Sequence, residues 1–193
     1  LLTLDNETHR LVDYLYQKYK IPNYISPHLS FKGMNFENFD DFLFPKIKNL
    51  LPDPFVFQDL EKGVNRLAEE VLHSRPIGIF GDYDVDGATS AALIANYLEY
   101  CGCKTFIHIP DRFLEGYGPN ERALKGLHEK GAELILTVDC GISSFEPLKA
   151  MSSVNLDLIV IDHHNPDITL PPAYAIINPK RIDNQKGYED LCA

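Results

Sequence analysis

The 193-residue chain has no tryptophan, two methionines, four cysteines and a shortage of cations: 18 lysines and arginines stand against 28 aspartates and glutamates. Each scarcity excludes something. Cys101 and Cys103 form a C-x-C, Cys140 and Cys192 stand alone, and no C-x-x-C pair occurs. A structural zinc site is therefore not expected, and free thiols point to a reducing compartment, the cytoplasm. No run of about 18 apolar residues occurs, so no membrane partner is expected. The opening "LLTLDNETHR" lacks the basic-then-apolar layout of a signal peptide. It also lacks an initiator Met, and the chain stops at "YEDLCA", so it reads as a piece of something longer. A formal charge of −10 argues against coating nucleic acid through a basic surface, because affinity for DNA comes largely from neutralised phosphates.

What is present is a hydrophobic content of 45%, enough for one substantial core with a small appendage. Residues 1–50 differ from the rest. "THRLVDYLYQKYK" carries apolar residues at helical spacing, and the Pro-, Asn- and Phe-rich stretch after it reads as loops and short helices packed on a larger body. Phe and Tyr residues between 24 and 57 are expected to do that packing rather than stack on bases. Asp53 and Asp59 read as helix-start residues. Leu60, Val64, Leu67, Ala68, Val71 and Leu72 mark one face of a helix that Pro76 ends. Residues 51–193 form the second domain. From residue 77, short apolar runs ("PIGIF", "TFIHIP", "ELILTVD", "LDLIVID", "YAIINP") alternate with helical stretches ("ATSAALIANYLEYCG", "PNERALKGLHEKG", "SFEPLKAMS"). That alternation predicts an α/β fold: a mostly parallel sheet with helices on both faces, preceded by an irregular helical N-terminal segment. His108, inside a strand, is expected to be a packed or edge histidine.

Asp82, Asp139 and Asp162 each stand where an apolar run stops. In an open α/β sheet the carboxyl ends of the strands line one crevice, so three strands deliver carboxylates to one rim. The first cluster, "DYDVDG", opens like an EF-hand loop. Counting from Asp82, however, position 12 is Leu93, and a strand precedes the loop where a helix is needed. The calcium-loop reading therefore fails on both counts. An extended backbone would place Asp82, Asp84 and Asp86 on one side, about 6.6 Å apart. Unit charges at that distance repel by roughly 2.5 kcal/mol at an effective dielectric near 20. Bound divalent cations are the natural resolution. Gly87 would let the chain turn tightly, and free N–H groups at the start of the "ATS" helix suit a phosphate near Thr89 and Ser90. In "IDHHNP", adjacent histidines point different ways, one toward a metal and one toward substrate. Carboxylates with imidazole suit manganese, with magnesium or zinc as alternatives. Two ions point to phosphoester hydrolysis.

"GDYDVDG", "TVDCGISS" and "DHH", in that order, resemble the motifs of the DHH phosphoesterase superfamily. With "IPDRFLEGYGPNERAL" and "INPKR", the chain resembles its RecJ branch, the single-strand-specific 5′→3′ DNA exonucleases of repair and recombination. The resemblance covers about residues 50–193. It implies two Mn2+ (or Mg2+) ions on Asp84, Asp86, Asp139 and His163, with His164 at the scissile phosphate. Asp162 and Asp82 would stand beside the ligands, and Arg112 would hold phosphate as a fork donor. The implied mechanism is in-line attack by a hydroxide held between the ions. It implies single-stranded DNA as substrate and single-strand-binding protein as a partner. Further parts that the resemblance calls for, including a fourth metal-binding aspartate, lie outside this sequence, so the stretch by itself is expected to bind metal weakly and to be inactive. Two ions would add +4 and bring −10 to about −6. Two alternatives stay open. One is another enzyme of the superfamily (an oligoribonuclease, nucleotide phosphatase or pyrophosphatase), although "IFGDYD" has no histidine ahead of the aspartates. The other is a non-catalytic RecJ-like replication scaffold.

Overall fold

Continuous aliphatic runs leave a strand no polar face, so they form a sheet only where helices cover both sides. The computed structural model, which describes residues 5–154 and 156–193, has that arrangement. The chain divides into two units, Leu1–Leu51 and Pro52–Ala193.

The first unit is helical. Helix α1 (Asn6–Tyr19) starts where the Asp5 carboxylate accepts the Thr8 N–H at 2.7 Å, and it ends at Lys20 in the left-handed conformation. Helices α2 (Ser26–Phe31), α3 (Phe39–Leu43) and α4 (Ile47–Leu50) follow. Leu11 and Leu15 of α1 bury Phe39 among Tyr14, Tyr19, Ile21, Leu29, Met34 and Leu43. Phe39 thus packs the segment's own small core, whereas Tyr24, Phe31, Phe42 and Phe44 remain exposed.

The second unit runs α5 (Leu60–Leu72), β1 (Ile77–Gly81), α6 (Val85–Tyr100), β2 (Thr105–His108), α7 (Glu121–Glu129), β3 (Leu134–Val138), α8 (Phe145–Met151), β4 (Asp157–Ile161) and β5 (Ala175–Ile177). The strand order is β2-β1-β3-β4-β5, and all four pairings are parallel. Alternate side chains feed two cores. Phe80, Ile135, Leu158 and Val160 pack with Leu124 and Leu127 of α7 and Leu148 and Met151 of α8. Ile77, Ile79, Leu136, Val138 and Ile159 pack with Ala91, Ala95 and Leu98 of α6 and Leu67 and Val71 of α5. The expected helices on both faces are present. His108 stacks on Phe80 with ring centroids 5.3 Å apart and bonds Glu115 at 2.9 Å, as a packed edge histidine does.

Local expectations fail where a distant partner competes. Helix α5 buries Gly63 and Glu70 while Val64 and Leu72 face solvent, so its inward face is rotated from the apolar stripe. Gly63 allows a close approach, since a Cβ there would stand 3.2 Å from Ile177. Glu70 is drawn inward by Arg66 and Arg75. Asp59 occupies the cap position of α5 without capping; its carboxylate accepts from Ile176 N–H and Arg181 instead. Asp53 does cap, accepting from Phe55 N–H at 3.0 Å. Asn120 caps α7 through Ala123 N–H at 2.9 Å. Helix α6 begins at Val85, three residues ahead of Ala88.

Gly87 is required by close approach rather than by a turn. A Cβ at that position would lie 2.5 Å from both the N and the O of Asp82, so the first turn of α6 rests directly on the end of β1. Gly87→Ala should therefore destabilise by about 2–3 kcal/mol. Gly126→Ala in α7, where a Cβ meets nothing within 4 Å, should be neutral or gain up to about 1 kcal/mol. Paired urea denaturation curves check both.

Candidate metal centre

Hydrogen-bonded register aligns the residues just past three strands. Gly81, Val138 and Ile161 stand side by side in β1, β3 and β4. One residue further along, the ladder continues: Asp82 N–H donates to Val138 O at 3.3 Å, Asp139 N–H to Ile161 O at 2.9 Å and Asp162 N–H to Ile177 O at 3.1 Å. The row crosses the boundary between β1 and β3, where the chain leaves for β2 on one side and returns on the other. That is the switch point at which open α/β sheets bind ligands.

Each carboxylate then meets a different environment. Asp84 caps α6, accepting Gly87 N–H at 3.1 Å. Asp86 lies in the first helical turn, so the extended run drawn from alternate aspartates does not form. Its carboxylate accepts from Ser90 Oγ at 3.4 Å and Ala193 N–H at 3.1 Å. Asp139 is buried and sits in the left-handed region at φ 60°, a conformation held by the surrounding structure. Asp162 is also buried, but its oxygens are fully engaged. Oδ2 accepts Ile142 N–H at 3.0 Å, and Oδ1 accepts the His163 and His164 N–H groups and faces His164 Nδ1 at 2.8 Å. It binds the loop after β3 to the two-histidine turn after β4.

Two groups of potential ligands result among the described residues: Asp82, Asp84 and Asp139, and Asp139, His163 and His164, each with ligand atoms within 4.8 Å of one another. Asp139 belongs to both. Asp86 belongs to neither, although its Oδ2 is 3.6 Å from His163 Nε2; Asp139 Oδ1 is 3.2 Å from the same nitrogen. Arg112 lies with its guanidinium 5.3 Å from the centre of the Tyr83 ring and has no carboxylate partner among the described residues. The early start of α6 removes the free N–H groups expected at "ATS", for Ala88 N–H already bonds Asp84 O. Thr89 Oγ1 donates back to Val85 O at 2.6 Å, and Ser90 Oγ lies 3.3 Å from Ala193 O. Sequence reasoning missed Tyr117. Its hydroxyl is 3.2 Å from His164 Nδ1 and donates to Asp139 O at 3.4 Å. The "GYG" context was a usable signal, since Gly116 and Gly118 both take positive φ to deliver that side chain.

The electrostatics fit bound cations. Asp82 Oδ1 and Asp139 Oδ2 are buried and have no hydrogen-bond partner among the described residues. Burial, and next the Asp84 carboxylate beside it, pushes the Asp139 carboxyl up to about 7. Burial also raises Asp82, whereas the Gly87 N–H lowers Asp84. Unsatisfied buried carboxylate oxygens beside imidazole nitrogens form a donor set suited to Mn2+ or Mg2+.

Residues 76–192 match the model of the DHH family, N-terminal domain. The chain belongs to the DHH family. The single-stranded-DNA-specific exonuclease RecJ of Bacillus subtilis (strain 168) is 40% identical over 139 residues, which are 72% of this chain and 18% of that relative. The chain therefore spans about a fifth of that curated relative's length. The crystal structure of exonuclease RecJ bound to manganese matches with a TM-score of 0.62 at 33% identity, over 71% of this chain and 34% of that one. RecJ in complex with Mn2+ from Thermus thermophilus matches with a TM-score of 0.67 at 25% identity, over 96% of this chain and 25% of that one. Within the DHH family, the order of motifs along the sequence thus corresponds here to one rim of a parallel sheet.

The raised Asp139 carboxyl gives a signed pH dependence. Between its ordinary value of 3.8 and about 7, the folded metal-free protein holds a proton that the unfolded chain has released. Stability therefore falls as pH rises through that window, by on the order of 4 kcal/mol once complete. Asp82 acts in the same direction. Asp84, lowered, is already ionised there. Asp139→Asn, which suits a left-handed backbone, should flatten the decline between pH 5 and 8. Denaturation of the metal-free protein and its variant across that range is the check.

Proposed function

We propose that this chain carries the metal-holding part of a single-stranded-DNA-specific exonuclease, a hydrolase of phosphodiester bonds that uses Mn2+ or Mg2+. The observation that carries the reading is the pair of ligand groups joined at Asp139, with orphaned oxygens on Asp82 and Asp139. Relatives that share the fold are RecJ exonucleases, one of them bound to manganese.

In this reading Asp82, Asp84 and Asp139 would hold one ion, and Asp139, His163 and the neighbouring Asp86 a second. A bound divalent pair supplies Lewis acidity toward water and phosphoryl oxygens. The remaining work belongs to side chains of this protein. Asp162 Oδ1 holds Nδ1 of His164, which fixes the ring beside the phosphate it would contact. The Tyr117 hydroxyl, 3.2 Å from the same Nδ1, confines that ring as well. Arg112, laid on Tyr83, offers a planar pair of donors to a phosphate of the strand. The acidic rim has little affinity for DNA until cations reverse its local charge, so strand binding and metal binding are coupled.

The setting belongs to the same proposal. Four free cysteines agree with a cytoplasmic protein, and the described residues include no helix long and apolar enough to cross a membrane. DNA repair and recombination, with single-strand-binding protein as a partner, follow from the resemblance.

The test is an assay of the complete protein with Mn2+ on single strands labelled at the 5′ or the 3′ end. Mononucleotides should leave from the 5′ end, and duplex should resist. Asp84→Ala and Asp139→Ala should each slow release by at least about 10²-fold while circular dichroism stays unchanged. Turnover retained in both variants would sink the assignment.

A further inference from the structure

The row of residues past the strands has a fourth member. Ile161 pairs with Ile177 in β5, so Asn178 stands next to Asp162 at the same rim. It is fully buried. Its Oδ1 accepts Lys180 N–H at 2.8 Å, and its Nδ2 donates to the backbone O of His164 at 2.9 Å. The orientation of the amide is not ambiguous: a backbone N–H can only donate and a backbone carbonyl can only accept, so the opposite flip would fail at both ends. The Asn178 carbonyl is itself held by Asn184 Nδ2, and Asn184 Oδ1 accepts Gln58 N–H at 2.8 Å.

Asp162 already grips the two-histidine turn by the N–H groups of His163 and His164. Asn178 grips the same turn by the His164 carbonyl. With both ends tied, the imidazoles have little freedom to leave Asp139. A carboxylate would serve poorly at position 178, because it would set an acceptor against an acceptor and add another charge to a crowded rim. A carboxamide supplies the donor without charge.

We propose that Asn178 is the positioning residue of the two-histidine turn, acting through the His164 carbonyl to hold both imidazoles at Asp139. The part that concerns metal affinity rests on the reading that Asp139 and His163 hold a cation. Asn178 touches neither cation nor substrate in this assignment.

The decisive variant is Asn178→Asp, which keeps the acceptor for Lys180 and removes the donor to His164. It is compared with Leu148→Ala, a core truncation on α8 with no polar role. Two readouts are taken on the complete, folded protein: ring 15N resonances of the histidines without metal, and Mn2+ affinity by calorimetry. Asn178→Asp should move the His163 and His164 ring signals and weaken Mn2+ by about 10- to 100-fold. Leu148→Ala should leave both as in the parent. Unmoved ring signals with parental Mn2+ affinity in Asn178→Asp would overturn the proposal, as would equal changes in Leu148→Ala. If the parent takes no Mn2+, the cation reading fails, and the ring signals alone decide the role of Asn178. Should Asn178→Asp not fold, Asn184→Ala loosens the brace on Asn178 and is read by the same signals, with the same outcomes.

Discussion

Repulsion among carboxylates pressed together at the carboxyl end of the sheet is the constraint that orders the rest of this structure. Oxygens of Asp82, Asp84 and Asp139 lie within 4.8 Å of one another. At that distance two unit charges repel by about 3.5 kcal/mol at an effective dielectric near 20. This exceeds what an extended strand would impose, because the first turn of α6 folds Asp84 back over the end of β1. Burial, and next the Asp84 carboxylate beside it, pushes the Asp139 carboxyl up to about 7, and the proton held there relieves part of the repulsion. The chain does not relieve it with donors: an oxygen on Asp82 and another on Asp139 have none among the described residues. Asp162, one strand away, has donors on both oxygens. The same residue type thus serves two purposes in one row. Where backbone amides satisfy it, a carboxylate organises loops; where they do not, it is available to a cation.

The opposite end of the sheet shows what this protein does with carboxylates that are purely structural. Buried Glu70 on α5 is paired with Arg66 and with Arg75, which precedes β1. Arg66 reaches Asp157 at the start of β4, and Arg75 reaches Glu133 ahead of β3. Each acid there has a guanidinium, as a buried charge requires if it is not to destabilise the fold. Arg181 does the same for Asp59 and Asp183 beside β5. Guanidinium partners at the amino end, and none among the described residues in contact with Asp82, Asp84 or Asp139 at the carboxyl end, make the rim distinctive. Abundant acid alone would not.

Much of this was legible in the chain before any coordinates. Apolar runs too short for helices and without polar alternation required a sheet covered on both sides, and Asp82, Asp139 and Asp162 could be placed at strand ends because each follows such a run. The same rule would have found Asn178 after "YAII", but a neutral amide draws no notice in a search for charge. Tyr117 was beyond that rule, since it comes from a loop between β2 and α7 and reaches His164 across 47 positions. Helix starts were misplaced where a carboxylate had a choice: Asp84 capped α6 earlier than the apolar pattern indicated, while Asp59 gave up its cap for Arg181.

By itself, then, the sequence determined the alternation of strands and helices, the rim to which the acidic clusters belong and the chemical types that meet there. Those follow from short-range patterns, because burial periodicity and strand ends are local properties. Tertiary structure alone decided which oxygens keep a lone pair free, which aspartate becomes a cap, which one joins the two ligand groups and what steadies the histidines. Each of those depends on donors supplied by segments distant in sequence, and on the parallel register that sets Gly81, Val138, Ile161 and Ile177 side by side.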